Sequence, residues 1–427
     1  MSHNKSTKIY FGWWIVLACF LITVYIAGTI SLGFTALITP LVNQFGWSYT
    51  FISLAVSVQC MLIGVSAPCI GALIDKWGPR RLVITGTLLS FIGMLLLSRV
   101  SSLVTFYIAF TILSLGMSAC NMSSMIPAVI NWFHKRLTLA TGIIVSGAAI
   151  GGFMVPLTTI LIDKFGWQYA LTILGIGMLI IPLPLSFLLR YKPADYGNTP
   201  YGIYETVSET KSRSESLPNS TSVKQALQNK VFWMIVIGLI LQFMVINSVL
   251  THIMPYLNSY EFSRMNSSLA ASFIAVISIV GRLGIGWLGN KIIIKRLMLL
   301  VFILGTLGII CFGIASTKTL WIIIPAMIFL GIGWGGQAAG MASLISQYFG
   351  KTRFATIFGF VIGFMQIGGI IGPPIAGWAF DTWRTYQFIW LAYSVLAIIS
   401  TILIAFLPNP SIISNNHTLV HDHNEGD

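Results

Sequence analysis

Apolar residues in this chain fall in long runs with few polar interruptions, and they show no one-face spacing. The stretches from Ile235 to Ile246 and from Leu297 to Ser316 are examples. A run of about 20 apolar residues is the length needed to cross a bilayer. Such a run must be helical, because only a helix satisfies every backbone group within its own segment. The pattern predicts twelve spans, near 11–39, 48–74, 82–98, 103–130, 138–162, 167–189, 231–257, 267–289, 297–316, 319–347, 354–380 and 387–407. The first run is too long for a signal-peptide core and no small-residue cleavage site follows it, so it reads as a retained span.

Composition agrees with this reading. Only 8% of the 427 residues are charged, against about 25% in soluble domains. A net charge of +13 could suggest nucleic acid, but its distribution argues otherwise. One set of alternate loops holds Lys5, Lys8, Lys76, Arg80, Arg81, Lys135, Arg136, Lys291, Lys295, Arg296, Lys351 and Arg353, with six more from Arg190 to Lys230. The other set holds Arg99, Lys164, Arg264, Lys318 and Arg384. Lys and Arg concentrate in cytoplasmic loops, so both termini are expected in the cytoplasm, with no nucleic-acid partner. Cys19, Cys60, Cys69, Cys120 and Cys311 all lie inside apolar runs without a C-x-x-C pair. They read as small hydrophobes, with no disulfide framework or zinc site.

The one long polar stretch, 191–230, is rich in Ser, Thr, Glu, Lys and Pro and reads as a flexible linker. It divides the chain into a six-span bundle over 1–190 and a second over 231–408, with a polar cytoplasmic tail at 409–427. The halves echo each other at an offset of 215 residues: Gly71 with Gly286, Arg80-Arg81-Leu82 with Lys295-Arg296-Leu297, Leu115-Gly116 with Leu330-Gly331, Ala140-Thr141 with Ala355-Thr356. With a three-residue shift, Gly151, Pro156 and Asp163 match Gly369, Pro374 and Asp381. Parallel six-span repeats with a substrate site at their interface are a recurring transporter plan.

The loop after span 2 reads Gly71-Ala-Leu-Ile-Asp75-Lys-Trp-Gly78-Pro-Arg80-Arg81. It resembles the loop signature of the major facilitator superfamily, G-x-L-x-D-r-x-G-r-r. That resemblance implies a gating role for Gly71, Asp75, Gly78, Arg80 and Arg81, locking one conformation and releasing it. Trp132-Phe133-His134-Lys135-Arg136-Leu137-Thr138-Leu139-Ala140-Thr141-Gly142, with Ser146-Gly147 and Gly151, resembles the span 4–5 signature of monocarboxylate transporter-like carriers, which include the bacterial oxalate/formate group. Phe11-Gly12-Trp13-Trp14, Tyr191-Lys-Pro-Ala-Asp-Tyr-Gly197 and Gly372-Pro373-Pro374 also fit. The implied fold is an all-α membrane protein of two six-helix bundles. The implied function is secondary transport of small organic anions, often with protons, by a monomeric unit in the cell membrane, here the inner membrane of a bacterium.

Ionisable residues inside spans are costly and usually face a cavity, and only His252 and Arg282 lie clearly inside. By resemblance Arg282 falls at the span 8 arginine that binds the substrate carboxylate. A guanidinium stays charged and offers a planar fork to a carboxylate. His252, near the outer end of span 7, is the intramembrane group that can change charge near neutral pH, and is the candidate for proton coupling and substrate contact. Spans 1, 4, 7 and 10 line the cavity in the resembled family, which adds Tyr25, Asn121, Asn247 and Gln337 as substrate-binding candidates, with Gln242 and Trp334 behind them. Each could instead join helix–helix hydrogen bonds.

Departures from the resembled pattern narrow the substrate. Ser278 stands where several relatives carry an acid before the arginine. Span 1 lacks the lysine of animal relatives, and Phe364-Met365-Gln366 occupies the place of the oxalate carriers' span 11 lysine. One fixed positive charge balances a monoanion, so proton-coupled symport of a lactate- or pyruvate-like acid is expected. Anion exchange of the oxalate/formate type and metabolite or drug efflux are the rivals among transporters. A membrane receptor is the rival outside them. No nucleophile–base pair or metal cluster stands in the spans, so neither an enzyme nor a cofactor is expected. The tail histidines His417, His421 and His423 read as part of a solvated end.

Overall fold

The computed structural model describes residues 10–133, 136–191, 193–196, 199, 201, 223–289, 291–315, 319–350 and 354–408. The tail histidines and most of the expected linker lie outside the described residues. Among the described residues, twelve helices are long and apolar enough to cross a membrane. They are Phe11–Phe45, Tyr49–Ser66, Lys76–Leu97, Leu103–Ile130, Leu139–Phe165, Trp167–Ser186, Lys230–Asn258, Arg264–Leu288, Ile294–Ile314, Leu320–Phe349, Thr356–Trp383 and Gln387–Ala405. The chain is therefore a multi-pass, all-α membrane protein, and these helices are spans 1 to 12 below.

Several spans are interrupted. Span 1 contains a π-helical stretch at Ala27–Leu32 and continues past the expected end at 39 to Phe45. Span 4 breaks at Cys120–Asn121. Pro40, Pro127, Pro255, Pro373 and Pro374 sit inside helices, each removing a backbone donor. Spans 2 and 3 are one helical run, Tyr49–Leu97, broken at Gly78 with φ 76° and ψ 160°. Glycine is the residue that enters this region at no steric cost, so the loop signature's second glycine is the corner itself.

The spans form two compact units. One comprises Met1–Gly33 and Val65–Leu217, the other Phe34–Gly64 and Pro218–Asp427. The later part of span 1 and most of span 2 thus pack with the second half of the sequence.

Close helix approach in both units is made at glycines, because in a bilayer association depends on packing more than on a solvent-driven effect. In the first unit a Cβ on Gly28 would lie 2.4 Å from the Gly151 carbonyl oxygen, and one on Gly93 would lie 2.6 Å from the Leu113 backbone. In the second, a Cβ on Gly281 would lie 2.1 Å from the Ile332 oxygen, and one on Gly308 would lie 2.8 Å from the Leu330 nitrogen. Gly93 and Gly308 stand at the 215-residue offset. Each lets the third span of its half close onto the fourth, so the repeat is visible in packing as well as in sequence.

In the first unit, three segments from distant parts of the sequence meet. The Tyr10 hydroxyl donates to the carbonyls of Trp132 (3.1 Å) and Thr199 (2.9 Å), and the Trp132 indole N–H donates to the Arg190 carbonyl (2.9 Å). The Arg190 guanidinium lies 4.0 Å from the Phe11 ring centroid and 4.3 Å from that of Tyr196. Cation–π contact on two rings pins the chain leaving span 6 to the start of span 1.

Candidate functional site

Span 8 starts at a Ser263 cap, whose hydroxyl accepts from the Asn266 N–H, and packs one face on span 10. Gly281, Ser278 and Gly335 make that contact; a Cβ on Gly335 would lie 1.8 Å from the Ser278 oxygen. The Ser278 side chain is buried and donates its hydroxyl to the Ala275 carbonyl one turn earlier at 2.6 Å. Arg282 stands beside this seam, half-buried, with its guanidinium carbon 5.6 Å from the Trp334 ring centroid on span 10. Val280, Leu283 and Trp287 are the most exposed large apolar residues of span 8. At 3.6 residues per turn they lie roughly 100–160° around the helix from Arg282. The cation therefore stands on a different side of the helix from these exposed apolar residues.

His252 is placed differently. It is fully buried on span 7. Its Nε2 lies 2.9 Å from the Pro373 carbonyl of span 11 and 3.0 Å from the Ser53 hydroxyl of span 2, and its Nδ1 lies 3.0 Å from the Tyr386 hydroxyl. A carbonyl only accepts, so Nε2 carries the hydrogen; a neutral ring then accepts at Nδ1 from Tyr386. Ser53 donates onward to the Tyr49 carbonyl at 2.7 Å. Every polar atom of the ring is thus matched by protein, which leaves His252 no edge for a substrate in this conformation.

One turn before Ser53, at the start of span 2, the Asp381 carboxylate of span 11 accepts from the backbone N–H of Tyr49 (2.9 Å), the backbone N–H of Thr50 (2.8 Å) and the Thr50 hydroxyl (2.5 Å). Asp381 had shown itself in the sequence only as the repeat partner of Asp163. Ser53 and Tyr386 gave no signal there, since their importance comes from contacts between segments far apart in the chain.

The remaining candidates are scattered over several helix contacts. Tyr25, in the first unit, donates its hydroxyl to the Leu174 carbonyl at 2.7 Å, which ties span 1 to span 6. Asn121 is half-buried at the break in span 4. Asn247, in the second unit, donates to the Cys60 sulfur at 3.4 Å. Gln337 is buried on span 10 with no hydrogen-bond partner for Oε1 among the described residues, and the same holds for both amide atoms of Gln242 on span 7. In the loop signature, Gly71 and Asp75 lie on helical backbone, while their side chains fall outside the described residues. The Arg80 guanidinium lies 5.3 Å from the Phe187 ring centroid, and Arg81 is exposed. Among the described residues no group of three or more His, Cys, Asp or Glu could hold a metal ion.

The family model of the Major Facilitator Superfamily matches residues 14–361 and 317–418. The chain belongs to that superfamily. Its curated relatives include monocarboxylate transporter 12 of Mus musculus, 24% identical over 93% of this chain and 85% of the relative. Monocarboxylate transporter 12-B of Danio rerio is 27% identical over 92% and 86%, and monocarboxylate transporter 2 of Homo sapiens is 22% identical over 92% and 84%. Among solved structures, a D-xylose–proton symporter superposes with a TM-score of 0.74 at 14% identity, covering 93% of this chain and 98% of the other. A nucleoside transporter superposes with a TM-score of 0.70 at 13% identity, covering 93% and 99%. The protein is thus a major facilitator transporter and not an enzyme.

Proposed function

We propose that this major facilitator protein carries small organic anions, most directly a lactate- or pyruvate-like monocarboxylate together with a proton, by alternating access of two six-span halves. The observation that carries the reading is Arg282: a permanent cation inside a span, on a different side of its helix from the exposed apolar residues and set against Trp334. A guanidinium in that setting recruits a carboxylate through paired, charge-assisted hydrogen bonds. The buried, unmatched amide oxygen of Gln337 on the neighbouring span is a further group that a bound hydroxy acid could engage. Relatives named as monocarboxylate transporters point to the same substrate class.

His252 takes the proton in this reading. A second proton on the ring needs Tyr386 to turn its hydroxyl hydrogen away from Nδ1. Loading is therefore tied to opening of the His252–Tyr386–Ser53 network and is not available while the network is closed. The Lys- and Arg-rich loops and both termini lie on the cytoplasmic side of the cell membrane. The test is uptake of labelled lactate, pyruvate and oxalate into proteoliposomes, with and without an inward proton gradient. Gradient-stimulated uptake of the monoanions is the expected result; oxalate preferred over both, or no response to the gradient, would overturn it.

A further inference from the structure

Two charged side chains of the second unit reach the segment Phe34–Gly64 among the described residues: the Arg264 guanidinium donates once, to the Ala36 carbonyl at 3.3 Å, while the Asp381 carboxylate accepts three hydrogen bonds at the start of span 2. That segment continues covalently into the first unit at Gly33 and at Val65, yet packs with the second. Three further ties along span 2 are between neutral groups: Ser53 with His252, Ser57 Oγ donating to the Ile370 carbonyl at 2.5 Å, and Asn247 donating to the Cys60 sulfur. Asp381 differs in kind. Its carboxylate satisfies two of the four orphan N–H groups at the helix start and places negative charge at the positive end of the helix dipole.

We propose that Asp381 is the latch that holds span 2 against the second unit at the end of the molecule away from the Lys- and Arg-rich loops, and that alternating access requires this latch to open. A carboxylate is the right group because it accepts from both backbone donors and the Thr50 hydroxyl at once. Asparagine in its place would turn an NH2 group toward backbone N–H donors, exchanging attraction for repulsion. Cys60 reports the state of the latch. It lies ten residues beyond Thr50 along span 2, about 15 Å deeper at 1.5 Å per residue. It is buried under Asn247 and Gly369 while the latch is closed. The proposal rests on alternating access and is independent of the substrate or the proton.

The experiment is labelling of the native cysteines of the full chain in lipid nanodiscs by a membrane-impermeant maleimide, read peptide by peptide by mass spectrometry. Asp381→Asn is expected to raise Cys60 labelling about three-fold or more, while Cys19 and Cys120, both buried in the first unit, stay protected. Thr50→Val, which removes one of the three bonds, is expected to raise it less. An unchanged Cys60, a parallel rise of Cys19 and Cys120, or a larger effect from Thr50→Val than from Asp381→Asn would each overturn the latch. Arg282→Ala is expected to leave Cys60 protected, so failure of the anion reading and failure of the latch show up in different measurements.

Discussion

Arg282 and His252 are two ionisable side chains in spans of the same unit, and the structure treats them in opposite ways. Arg282 is half-buried beside the Trp334 ring. His252 is sealed, with Pro373, Ser53 and Tyr386 around its two nitrogens. The first arrangement suits a charge that must meet something arriving from outside. The second suits a neutral group whose hydrogen bonds hold three segments together and whose protonation would disturb them. In the proposed reading the contrast divides labour within one unit: Arg282 would catch the anion, and His252 would couple its passage to a structural change.

The comparison can be broken most directly at the cation. Arg282→Ala is expected to reduce uptake by about 100-fold, the cost of removing one partner of a desolvated charge pair, with insertion and elution as a folded protein unchanged. Uptake at the parent level would remove the residue from the substrate role. Arg282→Lys keeps the charge but loses the planar fork, and uptake should fall by about ten-fold.

At the histidine, His252→Ala is expected to flatten the pH dependence of uptake. It should also cost roughly 1–3 kcal/mol of stability, because the buried Tyr386 hydroxyl loses its acceptor. A pH profile identical to the parent's would send the proton elsewhere. Trp334→Leu is expected to raise KM for the anion by a few-fold, in line with about 1 kcal/mol for a partly desolvated cation–π contact, with little change in maximal rate. The smallest effect is expected from Tyr386→Phe, about 1 kcal/mol in thermal unfolding. A loss as large as that of His252→Ala would place the weight of the network on the tyrosine.

Much of the fold was legible because the bilayer imposes simple conditions on sequence. Runs of apolar residues and the breaks between them predicted twelve spans, and Gly93 and Gly308 show the 215-residue echo in close packing. Of the candidate site, Arg282 and His252 were legible because charge inside a span is rare and costly. Their different surroundings were not. Tyr25 illustrates the limit: a polar aromatic on span 1 reads equally as a cavity residue or a helix tie, and its hydrogen bond to the Leu174 carbonyl is visible only in the folded chain.

Sequence alone, then, determined the number of spans, the superfamily signature and the identity of the rare intramembrane cation. Each depends on local composition or on spacing along the chain. Only the tertiary structure decided that Phe34–Gly64 packs with the second half, that Asp381 caps the start of span 2, and that Tyr386 and Pro373 close around His252. These are pairings between segments more than a hundred residues apart. Which donor meets which acceptor is set by how helices cross, and no local pattern encodes that.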